Sequence, residues 1–324
     1  MSSAPHRWMR HVNWSGIRKE ISLRWKCFGG PVRTKPRENP SGNLAQARRI
    51  VLLIHGFNVN QCDAGVSFEK FTAQLPFRWQ GRSAWVYWPG DATRSWKGSN
   101  RPGGSLDEIA SIASYPFQAN RAIDSASQFC EFLKKQRAGR KNPIHVTIVA
   151  HSLGCLLAME LVDKLTTNSS VRLELVILMA AAVPQYAFRL GERYSLRKFS
   201  DTKFVIYHSG NDEVLQGAFR PGQFAVASGP FSLFRRRGAV GLKGLAHPSK
   251  NAEQIVKQHK HSGYWPDREI AIDLAERLEG KARTVAKRFL VARTIGPLRT
   301  TEIRKLDGRS VEVAVGLRRN CTCS

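Results

Sequence analysis

The sequence predicts an α/β fold in which helices cover both faces of a mostly parallel β-sheet. Two observations support this prediction. Short, nearly continuous apolar runs alternate with longer segments of helical periodicity, which is typical of strands buried between two layers of helices. Four of the five apolar runs also end in a turn containing glycine or polar residues, and ligands of such sheets bind beyond the carboxyl ends of the strands. With 324 residues and 42% hydrophobic content, the chain can bury a large core.

The predicted elements follow one another as successive βαβ units. Residues 20–28 alternate between apolar and polar side chains, which predicts an edge strand, and residues 29–48 have the composition of a loop. The core strands are predicted at Arg49–Ile54, Ser83–Trp88, Ile144–Val149, Leu173–Met179 and Lys203–Tyr207. The helices are predicted at about 64–75, 106–138, 154–166 and 267–292.

These elements divide the chain into three regions. Residues 1–48 form a basic N-terminal extension with the edge strand, residues 49–293 form the main domain, and residues 294–324 form a basic tail. Within the main domain, the glycine-rich residues 217–255 indicate either a mobile cap over a site or a surface loop. In the tail, Asp307-Gly308 lies between two apolar stretches, which favours a β-hairpin.

The chain is strongly basic, with 51 Lys and Arg against 25 Asp and Glu and a net charge of +26. Residues 1–50 alone hold eleven basic residues and two acidic ones. Such a charge attracts anionic membranes, anionic substrates and nucleic acids without specificity, and it also promotes solubility. Because no base-reading module is recognisable, we do not expect nucleic acid as a specific partner. An anionic membrane surface is the more plausible macromolecular partner; the sequence does not predict the oligomeric state.

The termini and the cysteines give weaker indications. Residues 1–10 lack the apolar core of a signal peptide and no run of about 20 apolar residues occurs, so we expect a cytoplasmic protein that can attach peripherally to a membrane. The six cysteines lack metal-ligand spacing, and we expect neither a metal nor another cofactor.

The segment Ile148–Gly154 contains the sequence pattern that is most informative about chemical function. It leads from an apolar strand through Ala150-His151-Ser152-Leu153-Gly154 into a helical pattern. A serine at a sharp strand-to-helix turn exposes its hydroxyl as a nucleophile, and the residues two before and two after it must be small. Ala150 and Gly154 satisfy this requirement, although the usual pattern begins with glycine. We therefore predict Ser152 as a nucleophile.

A serine hydroxyl needs a base, and the base needs an acid that orients it. In this kind of fold the acid follows a late strand, where Asp212 lies. The adjacent Glu213 would point elsewhere, and Asp201 precedes the strand at its wrong end.

The base should lie in a loop just before the last helix, where His261 is the favoured candidate. His259 and His247 are its rivals in the same region. His151 is a poor candidate for the base because it lies within the turn itself.

The tetrahedral intermediate needs fixed hydrogen-bond donors for its oxyanion. The backbone N–H of Leu153, directly after the nucleophile, should supply one. The loop after the first core strand should supply the other: Gly56 allows close approach of the backbone, and Phe57 N–H is the expected donor. His55, Gly56 and Gly154 are the predicted supporting residues.

Together, His55-Gly56-Phe57-Asn58, Tyr87-Trp88-Pro89-Gly90-Asp91, the Ser152 turn, Asp212 and His261-Ser262-Gly263-Tyr264 resemble the alpha/beta hydrolase superfamily, and within it the bacterial DUF900-type hydrolases. The resemblance covers roughly residues 49–293. It implies an alpha/beta-hydrolase fold and a Ser152–His261–Asp212 triad with Phe57 and Leu153 as oxyanion donors.

From these features we expect a serine esterase or lipase-like enzyme that cleaves a carboxylic ester, such as a lipid ester or a thioester, through an acyl-enzyme. Two alternatives remain: a non-catalytic binding protein on the same scaffold, and a membrane-docked lipase-like enzyme that uses its basic surface.

Overall fold

The structure is a computed structural model. It describes residues 20–22, 47–57, 59, 61–76, 79, 83–88, 90, 105–137, 142–166, 170–217, 219 and 238–280. The chain divides into two compact units, residues 1–271 and residues 272–324. In the second unit the described residues are 272–280, where Arg277 Nε lies 2.7 Å from Asp273 Oδ2 one helical turn away.

In the first unit, the described residues form a seven-stranded parallel sheet, in agreement with the predicted alpha/beta-hydrolase fold. Its strands are β1 Glu20–Ser22, β2 Arg49–Ile54, β3 Ser83–Tyr87, β4 Ile144–His151, β5 Val171–Met179, β6 Lys203–His208 and β7 Ala252–Val256. Their spatial order is β1-β3-β2-β4-β5-β6-β7, and every neighbouring pair runs parallel.

Helices connect and flank the strands. They are α1 Gln61–Ala73, α2 Ser105–Arg137, α3 Gly154–Leu165, α4 Glu213–Gly217, α5 Val240–Lys243 and α6 Arg268–Leu278, with short 3-10 helices at Gln185–Phe188 and Leu196–Phe199. After β2, the chain forms β3 on one side of β2. It then passes across the sheet and forms β4 on the other side of β2. Because such crossovers are right-handed, α1 lies on one face of the sheet and α2 and α3 on the other, where they pack together.

The central strands contain long apolar runs because both of their faces are covered over most of their length. Leu52, Leu53, Val149 and Ile177 are completely buried, as expected for a sheet between two helical layers. The reversal of strand order between β2 and β4 opens a crevice at their carboxyl ends, which is where ligands bind in open parallel sheets. The predicted nucleophile and the predicted oxyanion loop follow these two strands.

The five predicted core strands and the predicted edge strand are all present. The edge strand, expected over 20–28, begins at Glu20 and pairs with β3 at the outside of the sheet; residues 23–28 lie outside the described residues. Helix α6 starts at Arg268, and the predicted continuation to residue 292 passes beyond the described residues after 280. The predicted C-terminal hairpin also lies outside them.

Part of the segment expected to be a cap or a loop belongs to the sheet instead. Residues 252–256 form β7, which pairs with β6, and residues 240–243 form α5. Sequence reasoning did not predict β7 because its side chains are half-exposed and include Glu253 and Gln254, so no apolar run marks it. Residues 220–237, to which the cap prediction still applies, are outside the described residues.

No helix among the described residues combines the length and the apolar character needed to span a membrane.

Candidate active site

Ser152 lies at a sharp turn between β4 and α3, as its sequence context predicts. Its φ is +54°, a left-handed conformation that is rare for residues other than glycine and is found where a structure imposes strain. Its backbone is tied to the end of β5 and to the residues just after it, since Ser152 N–H donates to Met179 O at 2.9 Å and Ala182 N–H donates to Ser152 O at 3.1 Å. The end of β5 therefore fixes the direction in which the serine side chain points.

Two glycines allow the loop after β2 to approach this turn. A Cβ atom on Gly154 would lie 2.2 Å from the carbonyl oxygen of His55, and a Cβ atom on Gly56 would lie 2.8 Å from Cβ of Ser152. Both separations are too short for real atoms, so larger residues would push the two loops apart. This close approach accounts for the small residues that the sequence shows at both positions.

The side chains of Ser152, His261 and Asp212 form one hydrogen-bonded series. His261 Nε2 lies 2.9 Å from Ser152 Oγ, and His261 Nδ1 lies 2.8 Å and 3.0 Å from the two carboxylate oxygens of Asp212. Since an ionised carboxylate only accepts, Nδ1 carries the proton and Nε2 is free to accept one from the serine. Asp212 is fully buried, and its Oδ1 also accepts the Leu215 N–H at 2.9 Å.

The rival candidates for base and acid lie elsewhere. His259 Nε2 is 2.6 Å from Asp267 Oδ2, and His247 is exposed on a separate cleft. Glu213 is exposed and pairs with Lys260, while Asp201 is exposed just before the amino end of β6. Of the predicted candidates, only His261 and Asp212 form a series with Ser152.

His55 shapes the loop that carries Phe57. Its Nδ1–H donates to Gly56 O at 2.9 Å, and its Nε2 accepts the Trp88 N–H at 3.2 Å. In return, Trp88 Nε1–H donates to the His55 carbonyl oxygen at 2.7 Å. Burial lowers the pKa of His55 to about 4, against weaker opposing effects of these backbone hydrogen bonds. The ring therefore stays neutral near pH 7 and holds the loop against the end of β3.

The two predicted oxyanion donors lie on the loops that Gly56 and Gly154 bring together. Leu153 is fully buried and directly precedes α3, and Phe57 directly follows Gly56. Neither N–H donates to a protein acceptor among the described residues. Free N–H groups at a helix N-terminus favour negative charge.

His151 is part of the site, although sequence reasoning set it aside as a base. Its Nε2–H donates to the carbonyl oxygen of His261 at 2.7 Å, and the two rings lie 4.9 Å apart. Burial, and then the proximity of His261, lower the pKa of His151 to about 3. His151 therefore stays neutral beside the candidate base. These partners are 110 residues apart along the chain, so no local pattern could have indicated the contact.

Buried charges fix the loop that carries His261. Lys257 Nζ lies 2.8 Å from Asp267 Oδ2 and 2.7 Å from Glu269 Oε2, and His259 bonds the same Asp267 oxygen. The side chains of Lys257 and Asp267 are only 6% and 7% exposed. These contacts join the two ends of the loop, and sequence reasoning did not detect them. Among the described residues, no group of three or more His, Cys, Asp and Glu side chains could hold a metal ion.

Comparisons with solved structures give distant matches with TM-scores of about 0.4. A protein from Thermus thermophilus, TT1662, is 12% identical with a TM-score of 0.41, over 74% of this chain and 91% of that one. A cold-adapted esterase from an Arctic intertidal metagenomic library is 14% identical with a TM-score of 0.37, over 73% and 83%. Zea mays acyl-protein thioesterase 2 is 15% identical with a TM-score of 0.37, over 77% and 97%. No curated protein matches the chain.

The family comparison is more extensive. The model of one protein family, described as an alpha/beta hydrolase of unknown function (DUF900), matches residues 39–231, which is more than half of the chain. The matched region includes β2 to β6, the Ser152 turn and Asp212. The chain therefore belongs to the DUF900 family of alpha/beta hydrolases.

Proposed function

We propose that this protein is a serine hydrolase that cleaves carboxylic esters, including lipid esters or thioesters, through an acyl-enzyme. The observation that carries the proposal is the series of hydrogen bonds from Ser152 Oγ to His261 Nε2 and from His261 Nδ1 to Asp212. A series in this order, with a buried carboxylate at its end, is what nucleophilic catalysis by serine requires.

In the first half of the reaction, Ser152 Oγ attacks the carbonyl carbon while its proton passes to His261 Nε2. Asp212 stabilises the resulting imidazolium through Nδ1–H. The N–H groups of Phe57 and Leu153 donate to the oxyanion, and each such donor contributes about 3 kcal/mol to the transition state. His261 then gives its proton to the leaving alcohol or thiol as the acyl–oxygen or acyl–sulfur bond breaks.

In the second half, water attacks the acyl-enzyme. His261 takes one proton from the water, the second tetrahedral intermediate forms in the same oxyanion site, and the proton returns to Ser152 Oγ as the carboxylic acid leaves. The restricted conformation of Ser152 supports this role, because it keeps the hydroxyl directed at the base through both halves.

The alternative, a non-catalytic binding protein on the same scaffold, does not require these three groups to be joined. The hydrogen bonds on both sides of the His261 ring favour the enzyme.

A fluorophosphonate probe tests the proposal, since it reacts covalently with activated serines. We expect the full-length protein to be labelled and Ser152→Ala to be unlabelled, and hydrolysis of p-nitrophenyl esters of short and long acids to fall about 10⁴-fold or more in that variant. Ser200→Ala, which removes an exposed hydroxyl, is the matched control and should behave like the wild type. Equal labelling of wild type and Ser152→Ala, or no labelling of either, would contradict the proposal.

A further inference from the structure

A second concave site lies in the first unit, on a surface that does not include Ser152, Asp212 or His261. It is a cleft of about 550 Å³ between residues 188–197 and residues 245–249. This volume is within the range of about 300 to 1,000 Å³ that is usual for small-molecule sites. The cleft adjoins both 3-10 helices that follow β5.

The walls of the cleft are fixed by buried and partly buried hydrogen bonds. Asn251 Nδ2 donates to the carbonyl oxygens of Phe199 at 2.9 Å and of Leu196 at 3.1 Å, and Gln185 Nε2 donates to Gly244 O at 2.6 Å. The Tyr194 hydroxyl donates to the buried carboxylate of Glu160 on α3. Because these bonds already order the walls of the cleft, a ligand could bind without the entropic cost of ordering them.

Three arginines occur at intervals of four residues along this segment, and they differ in their partners. The middle one, Arg193, pairs with Glu160 at 2.6 Å. Arg189 and Arg197, which both line the cleft, form no ion pair with any described residue. The Nε atom of Arg189 is buried and has no hydrogen-bond partner among those residues, which is costly for a charged group. Among the described residues, no carboxylate therefore neutralises either of the two outer guanidiniums, and their positive charge can attract an anion.

The rest of the lining is largely apolar. Phe188, Leu190 and Leu245 line the same cleft, and Leu190 is 70% exposed. His247 also lines the cleft, and none of the described residues that line it is acidic. Guanidiniums bind carboxylates and phosphates in a planar, two-pronged geometry, whereas the apolar wall suits a short hydrocarbon chain.

We propose that this cleft binds an anionic amphiphile, with its carboxylate or phosphate head at Arg189 and Arg197 and its hydrocarbon chain along Phe188, Leu190 and Leu245. The site is separate from the proposed catalytic centre, and its existence does not depend on the proposed reaction.

This site can be tested by calorimetric titration of the full-length protein with octyl phosphate or octanoate, each below its critical micelle concentration. We expect saturable binding that weakens at least tenfold in Arg189→Gln/Arg197→Gln. The matched control, Arg172→Gln/Arg268→Gln, removes the same charge from exposed positions outside the cleft and should change affinity less than twofold. If the double variant is unstable, Arg197→Gln alone changes an exposed residue and should still weaken binding.

Further ligands separate the contribution of the head from that of the chain. Leu190→Ser should weaken octyl phosphate and leave inorganic phosphate unchanged, and the neutral octyl glucoside should bind at least tenfold more weakly than octyl phosphate. Whichever of octanoate and octyl phosphate binds more tightly would identify the head group that the cleft prefers.

An equal loss of affinity in Arg172→Gln/Arg268→Gln would mean that net charge alone attracts the ligand, and that result would overturn the proposal. Unchanged octyl phosphate binding in Arg189→Gln/Arg197→Gln would also overturn it.

Discussion

His151 touches both the turn that carries the candidate nucleophile and the loop that carries the candidate base. It is the last residue of β4 and is buried, and its Nε2–H donates to the carbonyl oxygen of His261 at 2.7 Å. This bond anchors the backbone of His261, from which the ring that contacts Ser152 projects. We therefore regard His151 as a positioning residue, which acts by fixing the backbone of the candidate base.

Removing this donor should slow the chemistry more than it weakens substrate binding. In His151→Phe a ring of similar size remains while the hydrogen bond is lost, and we expect kcat for p-nitrophenyl esters to fall about 10- to 100-fold with little change in KM, since small displacements of a catalytic group have costs of this order. His151→Gln retains an N–H donor and should recover most of the activity. Two measurements on each variant check this prediction: the rate of fluorophosphonate labelling and the melting temperature Tm.

Two results would contradict this role. One is labelling of His151→Phe at the wild-type rate. The other is equal loss of activity in both variants together with an equal loss of Tm, which would indicate a purely structural effect.

At the scale of single residues, the sequence predicted candidate groups wherever chemistry restricts the residue type. A strained serine needs small neighbours, and the candidate oxyanion loop needs Gly56 for its close approach to Ser152, so these positions are recognisable as local motifs. Asp212 and His261 could be predicted from their order along the chain, because each follows or precedes a recognisable element. His151 and Lys257 act through partners that only the folded chain brings near them, and local patterns carry no signal of such contacts.

Among the elements, the connection from β7 to α6 depends most on buried charge. Its beginning and its end are joined through Lys257 and Asp267, both almost completely inaccessible. Burial alone would raise the pKa of Asp267, but hydrogen bonds from Lys257 and His259 and the charge of Lys257 outweigh it, so this pKa lies below its usual value. Folding therefore favours the ionised carboxylate.

Replacing Asp267 with asparagine should destabilise the fold by about 3 kcal/mol near pH 7, because it leaves Lys257 buried with a weaker set of partners. The contribution of a carboxylate with a lowered pKa is complete above the unfolded pKa of about 3.9 and is lost as pH falls through the folded pKa. The difference in free energy of unfolding between wild type and Asp267→Asn should thus be constant above about pH 5 and shrink below pH 4.

Urea denaturation at a series of pH values measures this difference. Asp201→Asn, at an exposed position, is the control and should stay within about 0.5 kcal/mol of the wild type. A wild-type stability equal to that of Asp267→Asn at pH 7 would contradict the assigned role of the buried pair.

Whether a strand or helix could be predicted from the sequence depends on how deeply it is buried. Strands β2 to β6 are covered on both faces and read as apolar runs, so their positions were predicted correctly. β7 is an outermost strand whose residues are all half-exposed or exposed, so no apolar run marks it in the sequence. The short helices around 185–199 and 240–243 are stabilised by contacts such as those of Asn251 and Gln185, which are not local in sequence.

The most distinctive property of the whole molecule is its charge of +26. Much of the excess lies near the ends of the chain: residues 281–324 hold eleven basic and three acidic residues, and residues 1–50 hold eleven and two. Each Lys or Arg near an anionic bilayer contributes about 1 kcal/mol to binding, and this attraction falls off over a Debye length of about 10 Å at 0.1 M salt. The charge thus predicts peripheral binding to anionic membranes, which would bring the proposed ester hydrolase activity close to lipids.

Co-sedimentation of the full-length protein with vesicles measures this binding. We expect the bound fraction to rise as phosphatidylglycerol increases from 0 to about 30% of the lipid, and to be largely lost at about 1 M salt, where the Debye length falls to about 3 Å. Arg235→Gln/Arg236→Gln/Arg237→Gln should bind more weakly by an amount set by the three lost charges, without loss of ester hydrolysis in solution. Equal binding to neutral phosphatidylcholine vesicles, or binding that persists unchanged in high salt, would show that apolar contact, rather than charge, brings the protein to the membrane.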